Sequence, residues 1–160
     1  MLKKWIVVIV AVLVAATAVV AAIHLMNQDD VECMVICLGA RQIPVSFEDL
    51  DKGSFSGELI DGKGDVTHHE YTGVELKALL ETKGIDPAVV TGVTVTSADN
   101  YSVEFTAEEL LEEGKLYLAI TDDGEKIKGI ENGTDGVQAI VFGDENSRRC
   151  VRFAQKITLK

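Results

Sequence analysis

Residues 5–26 contain no Asp, Glu, Lys or Arg, and few structures accommodate such a run. At 1.5 Å of rise per residue, twenty-two helical residues are enough to cross a hydrocarbon core of about 30 Å. Lys3 and Lys4 precede the run, while Asp29, Asp30 and Glu32 follow it. The positive-inside rule then keeps residues 1–4 in the cytoplasm and sends everything after the run outside. A cleaved secretory signal is the competing reading, with the small residues Ala16-Thr17-Ala18 and Val20-Ala21-Ala22 offering peptidase sites. The apolar run is longer than the roughly 7–15 residues of such signals, which favours a retained single-pass anchor over 5–26. Residues 27–31 form a spacer. No lipid-attachment cysteine follows at once, since Cys33 comes after Asp29-Asp30-Val31-Glu32. Either reading exports the rest of the chain.

What is exported, residues 32–160, has the size of one ordinary domain. The chain holds 15 basic and 26 acidic residues. Setting aside Lys3 and Lys4 leaves thirteen basic against 26 acidic, a net charge of −13 outside the anchor. Nucleic acid and anionic lipid surfaces repel such a domain, so DNA or RNA binding is excluded. Its cysteines, Cys33, Cys37 and Cys150, are odd in number and cannot all pair within one chain. Cys33 and Cys37 stand four apart on a strand-like run, which separates their Cα atoms by roughly 13 Å, too far for a disulfide. They read as small apolar residues. A Cys37–Cys150 bridge is allowed but has nothing specific behind it.

The exported part reads as a β-rich α+β domain. Strand-like runs cover 32–38 and 42–46, joined by Gly39-Ala40-Arg41, and Ser46 caps an expected helical turn over 47–52. Extended runs over 54–60 and 66–71 flank the hairpin signal Asp61-Gly62-Lys63-Gly64. Two helices are expected. Thr72 with Glu75 makes a capping box before Leu76, Leu79 and Leu80, with Gly84 as the stop; Thr106 with Glu109 repeats the device for 107–113, ended by Gly114. Alternating patterns mark strands at 93–96 and 101–106, and further strands are expected over 115–121, 137–142 and 151–159. The glycine-rich stretch 124–136 reads as an exposed connection.

Particular residues on these pieces resemble the molybdopterin-binding domain of sulfite oxidase-type oxidoreductases, from about Val35 to Leu159. They are Val45-Ser46-Phe47-Glu48-Asp49-Leu50, then Tyr71-Thr72-Gly73-Val74-Glu75-Leu76-Lys77-Ala78-Leu79-Leu80, then Ser97-Ala98-Asp99-Asn100-Tyr101-Ser102-Val103. Tyr117-Leu118-Ala119 with Asp123-Gly124 follows, and finally Val141-Phe142-Gly143-Asp144 and Ser147-Arg148-Arg149-Cys150-Val151. The resemblance implies the sulfite oxidase-type fold for the domain that follows the transmembrane helix read from residues 5–26, and it implies a molybdopterin site. In active members a cysteine in a CxG element gives molybdenum a thiolate ligand, a soft donor suited to that centre.

The chain departs from that pattern where the chemistry lies. The matching stretch is Ser54-Phe55-Ser56-Gly57, so Phe55 stands at the cysteine position, and a shift by one residue still finds no thiol. Cys37 lies a strand earlier, and Cys150 matches the family's tryptophan. Gln138 falls where an anion-binding arginine is expected, Phe142 replaces a proline, and Asn100 replaces a hairpin glycine, a change that Asn tolerates at φ > 0. The basic cluster Arg148, Arg149 and Arg152, with Lys156 beyond, stands where the family approaches the pterin phosphate, and arginine's fork suits phosphate oxygens. On so acidic a background, a solvated strand end whose charges offset the surface is the preferred reading of the cluster, and an anion site is the alternative.

No metal site is expected elsewhere. His68 and His69 point to opposite faces of a strand, so at most one, with Glu70 or a remote carboxylate, could meet an ion. Asp122, Asp123, Glu125, Glu131 and Asp135 lack the spacing of a calcium loop and read as solvated. Asn132-Gly133-Thr134 is a formal glycosylation sequon. Phosphate loops, nucleophile elbows and helix-borne zinc pairs are absent. The leading expectation is a membrane-anchored binding or interaction module with the pterin fold and no bound cofactor, partnered by another membrane or cell-surface protein. A molybdopterin-dependent oxidoreductase subunit holding its cofactor through Arg148, Arg149 and Arg152 is the alternative. A third is a structural cell-surface domain whose pocket is packed shut by Phe55 and Phe142.

Overall fold

The computed structural model describes residues 34–131 and 133–160. The expected anchor, Cys33 and Asn132 of the sequon lie outside them. Among the described residues no helix is long and apolar enough to cross a membrane. The chain divides into Met1–Val31 and Glu32–Lys160, and the second unit is built from two five-stranded sheets.

The first sheet runs β2-β1-β10-β5-β6. Strands β1 (Met34–Leu38) and β2 (Arg41–Val45) form a hairpin, with Gly39 at φ 58° in the two-residue turn. Strand β10 (Ala154–Leu159) returns parallel to β1 and pairs antiparallel with β5 (Gly92–Ser97), which pairs with β6 (Ser102–Thr106). Alternation puts Met34, Ile36, Val93, Val95 and Ile157 in the core, as side chains on a pleated strand must divide between two faces. The second sheet runs β3-β4-β7-β8, with β9 also on β7. Its strands are β3 (Gly53–Ile60), β4 (Val66–Glu75), β7 (Leu116–Asp122), β8 (Glu125–Lys126) and β9 (Gln138–Val141). Ala139 of β9 exchanges both backbone hydrogen bonds with Val151 at 2.9 Å, which ties this sheet to the segment entering β10.

Helix α1 (Leu76–Thr82) buries Leu76, Leu79 and Leu80 completely. Spacings of three and four residues place all three on one stripe, and burying each stabilises the fold by about 1.5–3 kcal/mol. Helix α2 (Ala107–Leu111) starts with the capping box expected at Thr106 and Glu109 and ends two residues before the expected 113. Asn100 takes φ 69°, the conformation its side chain was expected to tolerate.

Three local expectations are corrected. The Thr72–Glu75 capping box does not form, because β4 continues to Glu75 and pairs Val74 with Leu118 and Glu75 with Tyr117. The Glu75 carboxylate instead accepts the Gly114 amide at 2.9 Å. Burial of Val74 in the ladder outweighs a cap worth about 1 kcal/mol. Residues 47–52 form a turn and not a helix, with Phe47 and Leu50 plugged into the core and the Lys52 ammonium donating to the Phe47 carbonyl. The connection 124–136 is partly ordered by β8 and by a bridge between Lys128 and Asp135.

Candidate functional site

The site begins with a fault in the ladder. Between Thr72 and Gly73 the register of β4 against β7 shifts by one residue, a β-bulge of the kind that re-aims side chains beside functional sites. Gly73 permits it: a Cβ there would lie 2.0 Å from the Leu118 carbonyl oxygen. Before the bulge, Thr67, His69 and Tyr71 recur at every second residue of β4 and so share a face. All three line one cavity of about 470 Å³, with Asp122 opposite Tyr71 on β7.

Other walls come from both sheets. Leu59 and Asp61 come from the β3–β4 hairpin, Ser97, Asp99 and Tyr101 from the β5–β6 hairpin, and Gln138 from β9. The segment between β9 and β10 adds Ser147, Arg148, Cys150 and Arg152. The Tyr101 hydroxyl donates to the Arg148 carbonyl at 3.0 Å, fixing that segment against the hairpin. A cavity of this size and mixed lining suits a small organic ligand.

Charge in the cavity is set locally. The backbone N–H groups of Asp65 and Lys63 hold the Asp61 carboxyl below the usual carboxylate range, and the Ser97 hydroxyl and Tyr101 amide do the same for Asp99. Burial, aided by the Asp122 charge, pushes the Tyr71 phenol well above its ordinary value, so Tyr71 is a neutral hydrogen-bond donor. Burial likewise raises the Cys150 thiol, and the Val141 backbone N–H donates to its sulfur with an N···S distance of 3.5 Å. Arg148 and Arg152 are exposed and bring positive charge to the wall.

The sequence grouped three arginines, and the structure divides them. The 3₁₀ turn Ser147–Arg149 sends neighbouring side chains in different directions. Arg148 and Arg152 line the cavity, but Arg149 turns away to grip both Glu109 oxygens at 2.6 and 2.9 Å. It also reaches Asp144 at 3.2 Å and lies 4.7 Å from the centre of the Phe105 ring. Arg149 is a strut between the β9–β10 segment and α2. Lys156 sits exposed on β10 and is not among the cavity residues.

At the position where the resemblance implies a metal-binding thiolate, Phe55 is the centre of an aromatic cluster. Its ring stacks on Tyr117 at 4.0 Å and 15°, lies 5.5 Å from Tyr71, and meets Phe142 edge-on at 6.1 Å. Gly57 makes room for this arrangement, since a Cβ there would stand 2.3 Å from a Phe142 ring carbon. Position 55 therefore offers no donor to a metal. Cys37 and Cys150 are free thiols, each half-buried, so the disulfide between them does not form. Cys150 packs beside the same aromatic cluster and opens on the cavity. The sequence marks Tyr71, Tyr101 and Asp99 through the resemblance and Asp61 as a turn signal, but it does not mark any of them as a cavity residue, although the alternation Thr67, His69, Tyr71 was a usable signal.

His68 is exposed and His69 turns inward, as adjacent strand residues must. His69 Nδ1 lies 2.9 Å from Asp122 Oδ1. The remote carboxylate thus comes from the stretch expected to be merely solvated.

The sequence model of the oxidoreductase molybdopterin binding domain family matches residues 2–143. The chain belongs to that family. Among solved structures, the sulfane dehydrogenase SoxCD from Paracoccus pantotrophus is similar over 79% of this chain, with a TM-score of 0.58 and 18% identity. The likeness bears out the sulfite oxidase-type fold, and this chain spans 37% of the length of that one. No curated protein matches. Arg148, Arg149, Cys150 and Arg152 follow the end of the family match.

Proposed function

We propose that this chain is a single-pass membrane protein, anchored by residues 5–26, whose extracytoplasmic domain binds a phosphate-bearing small molecule in the cavity without molybdenum redox chemistry at position 55. The observation that carries the reading is the Phe55 ring, packed between Tyr71, Tyr117 and Phe142 at the place of the family's thiolate. The residues present fit a molybdopterin in part. Arg148 and Arg152 suit its phosphate, and the neutral donors Tyr71 and Gln138 suit its polar ring edges. They do not fit its metal as the family holds it. An acidic domain tethered to a membrane in this way would work beside a second membrane or cell-surface protein.

One observation favours a second reading, a molybdopterin-dependent oxidoreductase subunit. The Cys150 thiol lines the cavity beside the aromatic cluster that holds Phe55, so a soft donor is present after all. Burial keeps that thiol protonated when free, and a metal would have to displace the proton.

A single preparation separates the two. The full chain, produced in a host that makes molybdopterin, is assayed for molybdenum and for pterin fluorescence, alongside Cys150→Ser and Arg148→Ala/Arg152→Ala. The binding-module reading expects molybdenum far below one equivalent, and any pterin signal to disappear with the two arginines. Stoichiometric molybdenum with a reductant-responsive spectrum, lost in Cys150→Ser, would establish the oxidoreductase reading instead.

A further inference from the structure

We infer that His69, Asp122 and Asp123 form a binding site for a divalent transition-metal ion of the zinc class at the rim of the cavity. His69 Nδ1 lies 2.9 Å from Asp122 Oδ1 and 3.8 Å from Asp123 Oδ2, and one donor atom from each residue falls within 4.8 Å of the others. Ligands held at about 2.0–2.1 Å in a tetrahedral zinc site stand about 3.3 Å apart, so small side-chain shifts would close the triangle around an ion. One imidazole nitrogen with two carboxylates is a donor set suited to zinc, cobalt or manganese.

The surrounding groups orient these donors. Thr67 Oγ1 lies 3.4 Å from the Leu59 carbonyl and 3.0 Å from His69 Nε2. With the hydroxyl proton directed at that carbonyl, the Thr67 oxygen is left to accept the Nε2 hydrogen. In that tautomer the Nδ1 lone pair faces the two carboxylates, the arrangement in which a metal ion can be held between them; in the other, Nδ1–H donates to Asp122 at 2.9 Å. Tyr71 stacks on the imidazole at 5.5 Å and 15° and fixes its plane. Asp123 is held from both sides by Glu70: its amide donates to the Glu70 carbonyl at 2.7 Å, and its Oδ1 accepts the Glu70 amide hydrogen at 2.9 Å. Oδ2 is left for His69. Outer partners of this kind commonly support metal ligands and set their tautomer. His69 and Asp122 also line the cavity, which leaves coordination positions open on that side for water or a ligand.

Metal uptake by His69, Asp122 and Asp123 does not depend on which ligand the cavity takes. The full chain, purified without a polyhistidine tag and stripped with a chelator, is titrated with zinc by calorimetry and with cobalt by visible absorption. Wild type should take up one equivalent. His69→Ala and Asp123→Asn should each weaken binding at least about tenfold, while His68→Ala, on the exposed neighbour, should leave it unchanged. Should His69→Ala fail to fold, the near-isosteric Asp123→Asn decides. A histidine that serves only as a hydrogen-bond partner would lose melting temperature on substitution without changing zinc affinity. That outcome overturns the site, as would the absence of saturable uptake at millimolar zinc.

Discussion

Arg149 and Glu109 show how a residue's role depends on its partner. As sequence, Arg149 is the middle of a basic cluster; in the fold it makes a bidentate pair with a carboxylate 40 positions away, backed by Asp144 and the Phe105 ring. The guanidinium holds the Glu109 carboxyl below its usual range. A depressed acid contributes stability that is present above its unfolded pKa, near 4.3, and is lost as pH falls through its folded value. Glu109→Gln should therefore cost about 1–2 kcal/mol at pH 7. The difference from wild type should shrink as pH drops below about 4, where wild type also loses the charge. Urea midpoints at neutral and acid pH measure this, and a gap that stays constant with pH would contradict it. The same residues explain what sequence could not reveal. Periodicity locates a side chain on a face, but it holds no information about a partner 40 or 53 residues away, which is where Glu109 and Asp122 stand from Arg149 and His69.

At the scale of elements, legibility followed locality. Alternating Val93, Val95, Val103 and Phe105 gave β5 and β6, and the Thr106–Glu109 box gave the start of α2, because those signals are complete within a few residues. The Thr72–Glu75 motif was equally complete locally and still failed, since β4 gains more from its ladder with β7 than a cap supplies. The bulge leaves Ile120 of β7 without a partner opposite the Thr72–Gly73 step, while β4 keeps its alternation, lining the cavity with Thr67, His69 and Tyr71 and burying Val74. Gly73→Ala would set a methyl 2.0 Å from the Leu118 carbonyl oxygen and 2.9 Å from the Ala119 Cα, atoms of backbone that cannot rotate aside. The expected loss is about 3 kcal/mol. Amide exchange should speed up first along β4 and β7 if the element argument holds. Unchanged protection there, or a loss below about 1 kcal/mol, would mean that the strands can part at low cost.

Across the whole molecule, the excess of acid over base sets a field that the cavity must work against. A net charge of −11 repels anions at long range, so under the proposed function Arg148 and Arg152 would attract a phosphate only at short range, while the same field would favour the proposed cation at Asp122 and Asp123. Self-repulsion also burdens the fold itself. Exposed pairs such as Lys126–Asp135 and Lys160–Glu104 offset little of it, at about 0–1 kcal/mol each. The more protected Lys115–Asp144 and Arg149 pairs are only weakly screened by salt. Raising sodium chloride from about 0.01 M to about 0.5 M shortens the screening length from about 30 Å to only a few ångströms. Repulsion among the acidic groups should fall by more than the pairs weaken, and Tm should rise by about 2–4 °C, equivalent to roughly 1 kcal/mol in a chain of this size. Calorimetry at pH 7 in the two salts tests the balance. A falling Tm would mean that ion pairs, and not net charge, dominate the electrostatics of this fold.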